Sequence, residues 1–501
     1  MDAPGAHCHP HPEGNVPDVL IILALSAAII ALAAIAAVYS SVIPALKARH
    51  RKREMFAVDA VDRHVGGTAE QLVAVERTYP LRAQADLQGF IDAALRNALH
   101  IRAQHGLTSR WGHQPMSMVQ VLTHDENTGA RLGQLIWNSI DTGGDKRMPV
   151  IDSATLWLGE LDGSPVALLY APVEQYGIKN GWRLALAVPP GLAASERVEQ
   201  FFAAVDQALA RSACYRGKVL SLTSAGCGPA QASGIITVHR FSPIAGDELI
   251  LPAATLAAIE RNVVQHARHA AALAARGQSA KKGILLHGPP GTGKTHCIRW
   301  LAGAMPGHTI LIISAEQVLF LDEYMALARL LQPALVVIED VDLIARERSQ
   351  QSSPGTESLL NKLLNMMDGL NEDAQITFVL TTNRPDDIEP AIASRPGRVD
   401  QAILVPMPDQ ACRRRLLALY GKGAQIDEAA AADIVRRTEG ASAAFIKELL
   451  RRSSLCAEMR KPGAPVSGAD IDSALEELIG VGGSISLKLL GAAGIGGAEG
   501  P

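Results

Sequence analysis

Apolar side chains divide the chain into stretches that obey different periods. From Val19 to Tyr39 the run VLIILALSAAIIALAAIAAVY holds no charge and leaves no polar face. At 1.5 Å per residue it is long enough to cross a hydrocarbon core of roughly 30 Å. A packed core helix keeps a polar stripe, and a cleaved leader carries a basic region ahead of its apolar one. No Lys or Arg precedes Lys47, so the pattern predicts a transmembrane helix over 18–46 behind an outer tail, 1–17. Asp2, Glu13 and Asp18 stand before the apolar run Val19–Tyr39, and the cluster KARHRKR (Lys47 to Arg53) comes after it. The positive-inside bias then puts the N-terminus outside and the rest in the cytoplasm, at a bacterial inner membrane or its organellar equivalent.

Residues 54–240 mix helix and strand periods. Leu87–Gly106 (LQGFIDAALRNALHIRAQHG) reads as an amphipathic helix. TLWLGELDGSPVALLYAPV gives two β-rich runs around Asp162-Gly163, a dipeptide suited to a two-residue hairpin turn. WRLALAVPP is a further strand. SERVEQFFAAVDQALARS is a helix with Ser195 as N-cap and Val198, Phe201, Phe202, Val205 and Leu209 on one face. Together they predict an α+β intermediate domain without a catalytic constellation, an adaptor or oligomerisation unit. After the Gly/Ser-rich LTSAGCGPAQASG, strands alternate with helices, as in a parallel sheet covered on both faces. The pattern predicts an α/β core over 241–407, a helical region over 408–485 and a disordered glycine-rich tail over 486–501.

Composition narrows the function classes. The 501 residues are 48% apolar and 20% charged with net charge −4, enough for large cores and without the basic excess of a nucleic-acid binder. Six scattered cysteines with no C-x-x-C argue against a disulfide framework or zinc ribbon and suit a reducing compartment. His7, Cys8, His9 and His11 in HCHPHPEG are interrupted by prolines, and we read a solvated tail. His266 and His269 have no Asp, Glu or Cys to complete a ligand set.

Chemistry enters at KGILLHGPPGTGKTHCIRWLAG. A short buried strand, Ile284–Leu286, runs into Gly288–Thr295, which fits G-x-x-x-x-G-K-[ST]. In such a loop glycines let backbone N–H groups cradle phosphate oxygens at a helix start. Gly288, Pro289, Pro290, Gly291, Thr292, Gly293, Lys294, Thr295 and His296 are the expected nucleotide-binding residues. Lys294 supplies charge at the β- and γ-phosphates, and Thr295 ligates Mg²⁺. A second strand, LVVIEDVDLIA, ends in Glu339 and Asp340, with Asp342 just beyond. Buried carboxylates need compensation, which a metal shell and Lys294 provide; in P-loop enzymes such a strand end holds Mg²⁺ and polarises the attacking water. Neighbouring strand residues face opposite ways, so the two acids should differ in role. Cys297, near the helix start, is either a thiol switch or a packed residue, and packing is the simpler reading. The basic runs CRRRLLALY and ELLRRSS read as solvated helix faces.

Together with segments further along the chain, these motifs resemble the AAA ATPases over roughly Phe241–Gly480. LTTNRPDDIEPAIASRPGRVD is similar to the family's second region of homology. The resemblance implies Asn383 as the sensor of γ-phosphate or water, and Arg395 and Arg398 as fingers reaching a neighbouring subunit's site. LLNMMDGL is similar to the inter-subunit segment, and TEGASAAFIKELLRRS to the lid helix beside adenine, with Ala443 and Ala444 at the small positions. The implied protein is a Mg²⁺- and ATP-dependent hydrolase working as a homo-oligomeric ring of six or seven. Catalysis would fall to Glu339, Asp340, Asn383, Arg395 and Arg398, and the metal to Thr295 and Glu339. The Glu339-Asp340 order inverts the usual Asp-Glu. The mitochondrial Rieske-protein translocase group of membrane-anchored AAA ATPases is similar in that inversion and in its single N-terminal span. By position Glu339 serves the metal and Asp340 the water. Threading relatives carry an aromatic-hydrophobic-glycine loop where this chain has SAEQVLFLDEYMALARLLQPALVV, without glycine. Phe320 and Tyr324 are there either as substitutes or as packing residues. The expected function is remodelling, assembly or translocation of protein clients. The alternatives are an unfoldase for a separate protease, since these residues contain no H-E-x-x-H, and a nucleotide-gated scaffold.

Overall fold

The computed structural model describes residues 56–110, 116–175, 178–211, 214–224, 234–242, 244–346, 359–386, 388, 399–423, 426 and 428–481. Val19–Tyr39, the Lys47–Arg53 cluster, the histidine-rich tail, residues 486–501 and both Arg395 and Arg398 lie outside the described residues. Among the described residues no helix is long and apolar enough to cross a membrane.

The intermediate domain is built on strands β1 (Val73–Pro80), β2 (Ala103–Thr108), β3 (Arg131–Gly133), β6 (Thr155–Leu161), β7 (Ser164–Gln175) and β8 (Ile178–Val188), with β4 (Trp137–Ile140) and β5 (Met148–Ile151) as a separate hairpin. The six form one antiparallel sheet in the order β1-β8-β7-β6-β2-β3. The hairpin expected at Asp162-Gly163 forms, with Leu161 opposite Ser164 and φ of 50° and 75° at the two turn residues. The long apolar runs of β6–β8 reflect burial of both faces. Trp157, Leu168, Tyr170, Trp182 and Leu184 pack under the helices Gln84–Phe90 and Glu196–Arg211, with Tyr170 stacked on Trp182 at 4.7 Å. The opposite face carries smaller residues (Ala167, Ala171, Ala185, Ala187) beneath the helix Ala57–Val65.

Two expectations change here. The helix expected over Leu87–Gly106 runs through a π turn at Ile91–Leu95, stops at Ala98, and becomes β2 from Ala103. His100 N–H and Arg102 N–H donate to Glu160 O and Leu158 O at 3.1 and 2.8 Å, so pairing with β6 overrides the apolar period. Ser195 does precede its helix, and Val198, Phe201, Phe202 and Val205 are buried as expected. Its hydroxyl, however, makes no hydrogen bond among the described residues.

The second sheet has seven strands in the order β10-β9-β12-β13-β14-β11-β15. They are β9 (Val219–Ser224), β10 (Gly234–His239), β11 (Lys282–His287), β12 (Thr309–Ile313), β13 (Ala334–Ile338), β14 (Ile376–Thr382) and β15 (Gln401–Leu404). All neighbours are parallel except β9 and β10. The sheet thus reaches back across the boundary expected at 240/241, because β9 alternates buried Leu220 and Leu222 along β12. Helices Lys294–Ala304 and Leu321–Leu330 cover opposite faces. The helices Gln410–Tyr420, Glu428–Arg437, Ala443–Arg460 and Gly468–Glu476 form a lid with its own core. The intermediate domain is tied to the unit built on the seven-stranded sheet by a bidentate Arg240–Asp141 pair, 2.8 Å to each oxygen, and by Arg82–Glu323 at 3.7 Å.

The interval between β12 and β13 folds as a 3-10 turn, Ala315–Phe320, and the helix Leu321–Leu330. Phe320 and Tyr324 both turn into the core. The Tyr324 hydroxyl accepts Leu222 N–H at 2.6 Å and lies 2.9 Å from Ile312 O. Neither aromatic is free to grip a client, and packing is their role. Tyr324→Phe removes a hydrogen-bonded hydroxyl and orphans a buried N–H, so it should destabilise the protein by about 1–3 kcal/mol in urea or thermal melts. An unchanged midpoint would contradict this.

Candidate functional site

Parallel pairing sets the carboxyl ends of β11, β13 and β14 side by side, the edge at which open α/β sheets bind ligands. β11 delivers the chain to Gly288, whose φ is 151° and where a Cβ would come within 2.2 Å of Val405 O. At Gly291, φ is 76° and a Cβ would lie 2.7 Å from Ser442 Oγ. The first glycine lets the loop leave beneath the chain from β15, and the second lets the lid sit on it. Ala444 N–H donates to Gly291 O at 3.2 Å, which fastens the lid helix to the loop. The helix Lys294–Ala304 starts here, and the first N–H groups of a helix have no intrahelical partner, a ready anion site.

Lys294 is buried and donates to Gly288 O and Pro289 O at 2.7 and 2.9 Å. Burial lowers its pKa, and the facing Asp340 and Asp342 oppose that shift. Across the cleft, Thr295 Oγ1 lies 3.4 Å from Glu339 Oε1. Asp340 takes a left-handed backbone, φ 50°. Its N–H donates to Thr381 Oγ1 at 3.1 Å, and its Oδ1 accepts Asn383 Nδ2–H at 3.0 Å. The two neighbouring acids therefore go to different partners. Glu339 meets the P-loop threonine, and Asp340 meets the end of β14. Burial, then the charge of the adjacent Asp340, raises the pKa of Glu339. Asp340 is raised by burial and by Asp342, with Lys294 and Asn383 acting against the rise.

A cavity of about 380 Å³ opens over these groups, within the range of roughly 300–1,000 Å³ usual for small-ligand pockets. Of the expected residues, Pro290 to His296, Asp340 and Asn383 line it, together with Ala443 and Ala444 from the lid. Sequence reasoning did not single out Glu248–Leu251, Thr381, Leu416, Tyr420 and Lys447 in that lining. They come from a linker, the end of β14 and two lid helices, and only Thr381 and Lys447 fall inside the segments that carry the family resemblance. Lys447 sits over the Tyr420 ring at 5.6 Å. Burial, with Arg299 and Lys447 nearby, lowers the pKa of His296. Cys297 is buried in the core, which pushes its thiol up to about 12 and agrees with packing. In the basic runs, Arg413 donates to Val435 O and Pro408 O, while Arg451 and Arg452 pair with Glu448. No group of three or more metal-ligating side chains occurs among the described residues.

The residues present fit magnesium-bound triphosphate. Hydroxyl and carboxylate oxygens at Thr295 and Glu339 suit a hard cation. A glycine-lined helix start with a buried lysine suits an anionic phosphate chain. The arrangement is that of a P-loop nucleotide site. Residues 284–407 match the family described as ATPase family associated with various cellular activities (AAA). The ATP-dependent zinc metalloprotease FtsH of Mycoplasmopsis pulmonis is 33% identical over 50% of this chain and 35% of its own. FtsH 2 of Symbiobacterium thermophilum is 34% identical over 41% of this chain and 37% of its own. The proteasome-activating nucleotidase of Methanothermobacter thermautotrophicus is 32% identical over 40% of this chain and 51% of its own. The chain thus spans about a third to a half of the length of these relatives. It carries an AAA ATPase domain, whose reaction is ATP hydrolysis with Mg²⁺.

Gly291→Ala places a Cβ against Ser442 Oγ and Ala444 Cβ at a left-handed position. Such strain costs about 1–2 kcal/mol, so affinity for a fluorescent ATP analogue should fall about tenfold. Unaltered affinity would mean that the lid contact is not needed for nucleotide binding.

Proposed function

We propose that this protein is a membrane-anchored ring ATPase that couples ATP hydrolysis to the remodelling, assembly or translocation of protein clients. The observation that carries the reading is the split at the end of β13, with Glu339 beside Thr295 and Asp340 beside Asn383, opposite Lys294. Lys294 and the P-loop N–H groups would hold the β- and γ-phosphates. Thr295 and Glu339 would hold Mg²⁺, which when bound would offset charge on the phosphate oxygens. Asp340 accepts a proton from the attacking water, and the Asn383 amide orients that water and the Asp340 carboxylate. Asp is one methylene shorter than the Glu usual at this position, and the left-handed backbone at Asp340 redirects its carboxylate toward Asn383.

Arg395 and Arg398 complete the site of a neighbouring subunit, so the working form is a homo-oligomer of six or seven. Val19–Tyr39 anchors each subunit with its N-terminus outside and its ATPase inside. Kinship with the Rieske-protein translocase group is supported by the Glu339-Asp340 order and by the succession of one apolar run, an intermediate domain and a single ATPase module. A second reading, an unfoldase serving a separate protease, is favoured by the likeness to FtsH and to the proteasome-activating nucleotidase. The burial of Phe320 and Tyr324 weighs against threading by either aromatic.

The two acids should separate in their phenotypes. Asp340→Asn keeps ATP bound and slows hydrolysis by about 10²–10⁴-fold, the range for a lost general base. Asn tolerates the left-handed backbone, so folding is spared. Glu339→Gln instead shifts activity to higher Mg²⁺. Reversed phenotypes would exchange the two roles.

The shared site is tested by mixing Arg398→Ala subunits with Lys294→Ala subunits. Each variant alone should be inactive, since a finger is worth about 10³–10⁵ in rate in P-loop enzymes. Co-assembled rings should regain part of the hydrolysis, because some interfaces join an intact P-loop to an intact finger. Confirmed co-assembly without recovery would place Arg398 outside the neighbour's site and sink the ring mechanism.

A further inference from the structure

Asp342 is the acid of the β13 cluster to which the hydrolysis scheme gives no task. It stands in the first turn of the helix Val341–Arg346 and is 4% exposed. It does not line the nucleotide cavity. A carboxylate withdrawn from water requires donors, and two come from the end of β14. Thr382 Oγ1–H reaches its Oδ1 at 2.9 Å, and Asn383 N–H reaches the same oxygen at 3.3 Å. Thr382 is itself buried, and its hydroxyl oxygen accepts Arg384 N–H at 2.9 Å, so the backbone is tied on both sides of Asn383. Asn383 passes the constraint on through its Nδ2–H, which donates to Asp340 Oδ1 at 3.0 Å.

We propose that Asp342 is a positioning residue for hydrolysis. It locks the Asn383 backbone so that the Asn383 amide holds Asp340 and the attacking water in line, and it leaves nucleotide binding alone. The inference rests on reading Asp340 and Asn383 as the hydrolytic pair. Misplacing a catalytic group by about 1 Å can cost about 10²-fold in rate, and release of the Asn383 backbone permits such a shift.

The test uses the full-length protein, with ATP turnover and fluorescent-nucleotide affinity measured on Asp342→Ala, Asp342→Asn, Asn383→Ala and the double Asp342→Ala/Asn383→Ala. Asp342→Ala should lower kcat by about 10²-fold with affinity retained. Asp342→Asn, whose amide oxygen still accepts from Thr382 and Asn383, should keep most of the rate. The double variant should be no slower than Asn383→Ala alone, as expected when two residues act through one contact. Unchanged kcat in Asp342→Ala, a parallel loss of affinity, or multiplying effects in the double variant would each overturn the proposal. Asn383→Ala at the wild-type rate would instead remove the reading beneath it. Should Asp342→Ala fail to fold, Thr382→Val takes its place. Slowed turnover at normal affinity supports the proposal, and an unaltered rate overturns it.

Discussion

Three acids in one short turn repel one another and lose solvation together, and the architecture of the site answers that problem. Glu339, Asp340 and Asp342 are separated by direction. One reaches toward the P-loop threonine, one toward the Asn383 side chain, and one into the backbone at the end of β14. The separation requires a left-handed residue at Asp340, a conformation that few residue types tolerate but Asp can adopt. It also requires Lys294 to be buried within the same field, where the acids sustain its charge against desolvation. Parallel pairing of β11, β13 and β14 supplies the third requirement by bringing the three strand ends to one edge.

How much of this was legible depended on the range of the interaction. The P-loop is local: glycines, lysine and threonine succeed one another, and the structure sets them between β11 and a helix as the spacing implied. The acids were legible as a pair with different roles, because alternation along a strand is also local. Asp342 was visible as a third charge, but its partners lie on a strand some forty residues later in the chain, and no spacing rule reaches that far. The linker and lid residues that close the cavity were illegible for the same reason. In the intermediate domain the Asp162-Gly163 turn was readable because two adjacent residues dictate it. The end of the helix near Ala98 was not, because the chain there is claimed by β6.

The interval after β12 shows how a core can decide what a surface does. Tyr324 bonds to Leu222 of β9, and Glu323 on the same helix faces Arg82 of the intermediate domain. This helix is thereby committed to joining the two parts of the molecule. It gives the seven-stranded sheet a direct mechanical link to the intermediate domain.

The route of β9 carries a further consequence. Ile310 N–H of β12 donates to Lys218 O at 2.9 Å, and β9 continues that pairing, so the two strands at one end of the sheet are supplied by residues that precede Phe241. The complete seven-stranded sheet therefore begins at Val219. A piece cut at the apparent change of sequence character would leave β12 with a bare row of backbone groups, an open edge of the kind through which chains aggregate or exchange strands. The module that could be exchanged between proteins, or inherited intact, is therefore longer than its motifs suggest.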